Sequence, residues 1–377
     1  MTPAEQQTIL KGLLGLAEAG EFYSGESMGG RPCETYSDDT RFHQERQRIM
    51  MRRPFAAAHS SELAEPGSFR TVEILGTPVL LVRDDSGELK AFRNACRHRG
   101  MRLVGEGSGC AKRFTCPYHA WTYDQSGAFV TGPHFEKGFA ALDPTELSLH
   151  ELSCSERWGF AWVNLDPMEK ASPLASLEPL EKDLAWLAPE GLEVVGDTRL
   201  DIGANWKLLV EGGLEAYHFR IAHRATIGPY FEDNLSSYSV WGDNLRSVLP
   251  RKSIRSLCPE ESDRWVLRDH ANIIYTLMPT CQFLVQQDHI VWINANPRAA
   301  DRTELRLATL APVGEKSSEH WERNHQITLD TLGEDFAIAE SIQAGIAGGL
   351  EQTLHFGRYE SALEVFNGLV EATLEAD

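Results

Sequence analysis

Two short stretches limit the fold more than anything else in the chain: Cys96-Arg-His98 and Cys116-Pro-Tyr-His119, with 17 residues between His98 and Cys116. Each offers one thiolate and one imidazole, donors that suit iron and zinc. Two such pairs so close in sequence need two loops held side by side, which calls for short strands around them. A structural zinc site is the simplest alternative. Such sites favour Cys-x2–4-Cys and His-x3–5-His pairs, whereas here each pair is mixed and the first leaves one residue between its donors. Cys110 lies between the pairs with no histidine at matching distance and reads as an ordinary loop thiol.

The mixed spacing is that of a Rieske [2Fe–2S] site, in which two thiolates hold one iron and two neutral imidazoles the other. On these residues the chain resembles the Rieske non-haem iron oxygenases, the oxygenase components of ring-hydroxylating and related systems. Respiratory Rieske proteins carry an extra cysteine after each ligand pair, and Met101 and Tyr118 stand at those places here. The resemblance therefore implies a cluster at Cys96, His98, Cys116 and His119 that accepts electrons from NAD(P)H through a flavin reductase or small ferredoxin. Arg97, Arg99, Arg102 and Lys112 make its neighbourhood basic, either steering that donor or solvating the loops.

A second stretch, ANWKLLVEGGLEAYHFRIAHRATIGPY, holds His218 and His223. Five residues apart on an unbroken helix, they point about 140° from each other, so one ion can take both only if the helix ends or distorts between them. By the resemblance they are ligands of a mononuclear Fe(II), in the arrangement of two histidines and one carboxylate that leaves positions open for dioxygen. The family takes the carboxylate from the start of a late helix. TLGEDFAIAESIQAGIAGG offers Glu334 and Asp335, and Asp335 is preferred because it stands five residues before Glu340, with Gln343 following. The alternative is that both acids merely favour a helix N-terminus. Glu215 precedes His218 by about one helical turn. In the family the acid at this place, usually aspartate, bridges an iron-ligand histidine to a cluster histidine of the neighbouring subunit, which implies a homotrimer. A glutamate there is similar to the carnitine-type oxygenases. Asn205 is expected to hydrogen-bond near the iron, and Tyr217 to line or brace the site.

At 377 residues the chain is long enough for two cores. Residues 1–54 read as a helical segment packing on the catalytic domain, 55–165 as the cluster domain and 166–377 as the catalytic domain. The cluster domain shows hairpin turns at DDSGE and DQSGAF, with ERWGFAWVNLDP closing it as an alternating strand. Helical runs are expected at the amphipathic start, at 36–54, at 173–190 and after Ser317. EVVGDTRLDIGANWKLLV reads as a strand entering a helix. Three strands are expected over 272–313, where Thr303, Leu305, Leu307 and Thr309 alternate with their neighbours as in an antiparallel sheet. The fold class is α+β, and the resemblance supplies its form: a Rieske β-sandwich followed by a helix-grip domain.

A formal charge of −19 argues against nucleic acid or anionic lipid as partner. No apolar run is long enough to cross a bilayer, and the start has no basic lead or cleavage site, so a cytoplasmic enzyme is expected. Cys33, Cys154, Cys258 and Cys281 read as buried or loop thiols. A bare Rieske electron carrier needs only the cluster domain and leaves His218, His223 and Asp335 unexplained. The substrate expected first is aromatic, with a quaternary ammonium compound as the alternative. An aromatic acid asks for an Arg or Asn near an apolar slot. A quaternary amine asks for a cage of ring faces, with Tyr217, Phe219, Tyr230, Phe231, Tyr238 and Trp241 as candidates. Pocket walls are expected from Leu208 to Ile221 and from Ile274 to Ile293.

Overall fold

One five-residue device sets both hairpins beside the cluster loops. In DDSGE, Asp84 Oδ1 accepts from the amides of Ser86 (2.9 Å) and Glu88 (3.0 Å), joining strand Thr77–Arg83 to Leu89–Arg93. In DQSGA, Asp124 Oδ1 accepts from Ser126 (2.9 Å) and Ala128 (3.0 Å), joining Thr122–Asp124 to Phe129–Thr131. Gly87 and Gly127 take φ of 87° and 78°, the left-handed region that glycine enters without a Cβ clash.

The computed structural model describes residues 1–26, 28–166, 174–315, 318–350 and 352–376. It divides into Met51–Ala175 and a second unit made of Met1–Met50 with Ser176–Asp377. In the first unit an antiparallel sheet runs in the order Phe55–His59, Phe160–Asn164, Glu151–Arg157, Leu89–Arg93, Thr77–Arg83, Ser68–Ile74, Ser108–Cys110. Arg113–Thr115, Thr122–Asp124 and Phe129–Thr131 form a smaller sheet. Leu80, Val82, Phe92, Phe114, Trp121 and Tyr123 fill the core around Cys96 and Cys116. Phe160–Asn164 does not alternate as expected: every one of its residues is buried, so both of its faces are covered.

The second unit is built on a seven-stranded antiparallel sheet, ordered Leu192–Ile202, Arg302–Pro312, Ile290–Ala299, Cys281–Val285, Ala271–Leu277, Asn244–Pro250, Ser237–Trp241. The helix Glu319–Ala347 lays Phe336, Ala339 and Ile346 against Leu305 and Leu307 of that sheet. Mixed helix and antiparallel sheet is the expected class. Between 272 and 313 there are four strands rather than three, because Met278–Thr280 and Gln286–His289 turn the chain without an Asn-Gly or Asp-Gly signal. The helical run expected at 173–190 breaks into Glu178–Leu180, Glu181–Leu187 and the turn Pro189–Gly191. Residue 173 and Ser317 lie outside the described residues.

The N-terminal segment contributes Pro3–Ala19, started by a Thr2/Glu5 capping box, and Asp39–Arg48. The latter is tied to the helix Trp206–Glu211 by a fully buried ion pair, Lys207 Nζ to Glu45 Oε1 at 2.6 Å, with Trp206 Nε1 donating to Glu45 Oε2 at 2.8 Å. None of the seven cysteines is in a disulfide. Among the described residues no helix is long and apolar enough to cross a membrane.

Candidate metal centres

The two cluster loops are copies of one turn. Cys96 donates its amide to Met101 O (2.8 Å) and accepts from Gly100 N (2.8 Å), while Cys116 donates to Trp121 O (2.8 Å) and accepts from Ala120 N (2.9 Å). Gly100 and Ala120 both take positive φ, 74° and 56°. The turn buries each cysteine and carries each histidine outward, with His98 half-buried and His119 exposed. The two imidazoles meet with Nδ1 atoms 3.1 Å apart. His98 stacks on Trp121 at 4.9 Å, and Tyr123 Oη lies 3.4 Å from Cys96 Sγ. Two thiols inside and two imidazoles outside, with Nδ1 facing Nδ1, are the donor set of a Rieske [2Fe–2S] cluster. Burial, His119 and Arg99 hold His98 below its ordinary pKa, which favours the neutral form that ligates. Arg97 donates to Glu146 O and Arg102 pairs with Glu73, whereas exposed Arg99 rests on the Tyr118 ring. Cys110 sits in a strand pairing with Ser68, as a thiol outside the site.

At the second centre the helix ends ahead of both histidines rather than between them. Trp206–Glu211 stops at Gly212, a turn follows, and a single helical turn, Phe219–Ala222, has His218 as its N-cap and His223 as its C-cap. A Cβ on Gly213 in this turn would press on Gln282 Nε2 at 3.0 Å, and after His223 one on Gly228 would meet the Phe219 carbonyl at 2.8 Å, where only glycine fits without a shift. That single turn, closed at His223, sets His218 Nε2 3.2 Å from His223 Nε2, with Asp335 Oδ1 at 3.4 and 3.0 Å from them. An octahedral ion with ligands at about 2.1 Å sets neighbouring donors about 3.0 Å apart, so the three atoms match one face of such a site. These are the donors of a facial iron triad.

Each histidine has a carboxylate behind it. Glu215 Oε1 engages His218 Nδ1, and Glu215 Oε2 accepts from the amides of Tyr217 and His218. Glu334 Oε2 lies 2.7 Å from His223 Nδ1 and 2.7 Å from Thr226 Oγ1. Burial opposes a charge on His218, but Asp335 and Glu215 outweigh it and raise the imidazole to about 10. Burial pushes Asp335 up, yet the two histidines hold it below the usual carboxylate range. Such a cluster attracts positive charge, whether protons or a metal ion.

Asp335 is the carboxylate that meets both histidines, but it lies midway along Glu319–Ala347 rather than at a helix start, so the N-terminal dipole does not account for it. Asn205 does not reach the iron donors. It caps the helix Trp206–Glu211 by accepting from Lys207 N (3.0 Å), and its amide donates to Tyr36 O (3.1 Å) and Ala300 O (2.7 Å). Tyr217 is 55% exposed and packs on Tyr359. Sequence reasoning passed over Glu334 as a partner of His223, although its place beside Asp335 was the available signal.

From His223 and Asp335 opens a cavity of about 420 Å³, mostly apolar, with Leu249, Ile274, Leu284 and Ile293 in its wall. Phe219, Tyr230, Phe231 and Phe336 supply rings, and Arg251 and Asn272 supply polar groups. Tyr238 and Trp241 lie elsewhere, packed on Tyr23 and Arg246.

The profile of the Rieske [2Fe–2S] domain matches residues 53–149, and that of the ring hydroxylating alpha subunit (catalytic domain) matches residues 189–376. The chain belongs to the Rieske non-haem iron oxygenases. The carnitine monooxygenase oxygenase subunit of Escherichia coli (strain K12) is 33% identical over 213 residues, 56% of this chain and 55% of that one. The glycine betaine monooxygenase oxygenase subunit of Chromohalobacter salexigens is 30% identical over 206 residues, 53% of this chain and 44% of that one. The matches thus span about half the length of these curated relatives. Among solved structures, the quaternary ammonium Rieske monooxygenase CntA in complex with L-carnitine superposes with a TM-score of 0.79 at 22% identity, covering 92% of this chain and 96% of that one. Naphthalene 1,2-dioxygenase from Rhodococcus sp. bound to indole gives 0.76 at 21% identity, covering 98% and 99%. At these identities the two structures show a shared fold.

Proposed function

We propose that this chain is the terminal oxygenase of a multicomponent system that monooxygenates a small quaternary ammonium compound with electrons from NAD(P)H, delivered by a flavin reductase or ferredoxin. The observation that carries the reading is the convergence of His218, His223 and Asp335 on one point at the wall of an apolar cavity. For the substrate, the relatives at 30% identity or more named above are named for carnitine and glycine betaine, whereas the aromatic dioxygenase shares only the fold. Glu215 in place of aspartate and the rings of Phe219, Tyr230, Phe231 and Phe336 favour the same side. This reverses the order in which the sequence ranks the two substrates.

When bound, the cluster supplies electrons one at a time and the ferrous ion supplies oxygen activation. The chain orients both groups. Glu215 and Glu334 keep the Nδ1 protons of His218 and His223 on the far side of each ring, leaving both Nε2 lone pairs facing Asp335. The cavity wall holds the substrate in a largely dry space beside them.

Assembly into a head-to-tail homotrimer is part of the reading. Tyr217 and Ile221 are exposed apolar side chains close in sequence to Glu215, and Met101 and Tyr118 are exposed ones close in sequence to His98 and His119. Packing the cluster loops of one copy on the Glu215 turn of the next would bury these side chains and close a heterologous ring. Glu215 then connects His218 to a cluster histidine of the neighbour.

The test is a metal count followed by oxygen uptake. Reconstituted protein should hold about three irons per chain, two in the cluster and one in the triad. Two irons, with no triad metal, indicate an electron carrier instead. With a surrogate reductase, carnitine or glycine betaine should stimulate oxygen uptake; stimulation by benzoate and not by either amine returns the substrate to the aromatic class.

A further inference from the structure

The cavity beside the iron triad has a polar end, and ring contacts show where it lies. The Phe219 ring sits 5.3 Å from the His223 ring and 5.4 Å from Phe231, whose backbone bridges to Arg251. Strand register gives the same direction. Gln282 and Ile274 approach Gly213, in the turn ahead of the iron ligands. Asn272 lies two residues beyond Ile274 on the same strand and so shares its face, and Arg251 follows directly on the neighbouring strand Asn244–Pro250. Arg251, Asn272 and His289 therefore line the cavity away from the triad.

Two observations mark this end as waiting for a ligand. Arg251 donates to Asn272 Oδ1 at 2.5 Å and to Arg268 O at 3.4 Å, but it forms no ion pair among the described residues. Its guanidinium stays charged at any working pH and keeps donors free. His289 is only 3% exposed; its Nδ1 is 2.7 Å from Asp288 Oδ1, and its Nε2 is buried without a partner. Buried polar atoms are rarely left so. Asp288 faces the same end, but His289 occupies one of its oxygens.

We infer that Arg251, with Asn272 beside it, receives a carboxylate or sulfonate on the substrate. A hydroxyl on the same molecule, or a water carried with its head group, supplies the donor for His289 Nε2. This rests on the proposed function and narrows it. The cation lies toward the faces of Phe219 and Phe231, the anion on Arg251, and the substrate class is a betaine-type zwitterion with its two charges a few bonds apart.

The experiment uses cluster- and iron-loaded protein, with glycine betaine, L-carnitine and their methyl esters as probes, titrated anaerobically by calorimetry. The acids should bind about 10- to 100-fold more tightly than the esters, the range of a charge-assisted hydrogen-bonded pair. Arg251→Gln should remove that preference and leave ester binding within about threefold, with the cluster spectrum and iron content unchanged; Arg251→Lys should restore part of it. Equal binding of acid and ester by the wild type, equal loss of both in Arg251→Gln, or no binding of any probe overturns the inference. Arg251-dependent binding without substrate-stimulated oxygen uptake leaves it standing and removes the oxygenase reading instead. Uptake driven equally by esters does the reverse.

Discussion

Glu334→Gln probes how far the iron site depends on the carboxylates behind its histidines. The glutamate holds His223 Nδ1 and the Thr226 hydroxyl at 2.7 Å each, so the ring is fixed with its proton on Nδ1 and Nε2 open to an ion. Glutamine keeps the length and one acceptor but removes the charge that makes the imidazole a stronger base. Losing such a partner costs about 10- to 100-fold in metal affinity, or roughly 1.4 to 2.7 kcal/mol. The Glu334 side chain is 29% exposed, and water screens part of its field, which places the expected loss near the tenfold end. His218 keeps Glu215 and Asp335 is untouched, so the site should weaken rather than vanish. Anaerobic titration with Co(II) against a chromophoric chelator measures the effect, and the visible spectrum of the cluster in the same sample reports intact folding. A variant that binds Co(II) within twofold of the wild type would show that His223 is held by its own turn, and the argument from Glu334 would fail.

Asp335→Ala should lower iron from about three to about two per chain, with sulfide unchanged and turnover lost; retained triad iron by metal analysis removes Asp335 from the site. Glu215→Gln, with the triad saturated by excess ferrous ion to offset its weaker affinity, should still lose most of its turnover, and normal single-turnover rates of cluster oxidation would refute the relay. Glu45→Ala strands the ammonium of Lys207, fully buried like Glu45 itself, and should cost about 3 to 5 kcal/mol of unfolding free energy; a urea titration showing less than about 1 kcal/mol counts against it. Burial raises the Glu211 carboxyl to about 7 from 4.5, against partial compensation by Asn367 and Tyr36. The folded state then holds its proton after the unfolded chain has released it, so stability should fall by about 3 kcal/mol as pH rises through that window and level off above it. Glu211→Gln should flatten that part of the curve, and an unchanged slope in urea titrations at several pH values refutes the assignment.

The convergence of His218, His223 and Asp335 was legible because a metal site dictates residue type and spacing together. The five-residue spacing of His218 and His223 called for a break between them, but the break lies ahead of both, between Gly212 and His218, and one helical turn, Phe219–Ala222, joins the two. The hairpins beside the cluster were legible for a similar reason, since Asp-x-Ser-Gly specifies its own turn. Asn205 was misread because capping a helix and serving an active site call for the same amide; only its partners Tyr36 and Ala300, far away in sequence, decide the matter. The strands Ser237–Trp241 and Asn244–Pro250 were missed, the latter because it is buried along its whole length and shows no alternation. The polar end of the cavity could not be read at all, since Arg251, Asn272 and His289 come together only through sheet register.

The choice between Glu334 and Asp335 posed by the sequence turns out to be a pairing. Thr328, Thr331, Leu332 and Asp335 line the cavity from one face of the long helix, at the three- and four-residue spacing that keeps side chains in register. Glu334 stands about 100° around the helix from Asp335, too far to share the ion but well placed for the other side of the same imidazole. His223 presents Nε2 to Asp335 at 3.0 Å and Nδ1 to Glu334 at 2.7 Å. Two adjacent acids on a regular helix can thus grip both nitrogens of one ring, one as a fellow ligand and one as its support. His218 lacks that help from the helix and takes its support from Glu215, three residues back in its own turn. The two histidines are therefore held by different means. One is fixed by the long helix that also forms the substrate wall, the other by a local turn whose neighbours Tyr217 and Ile221 are exposed.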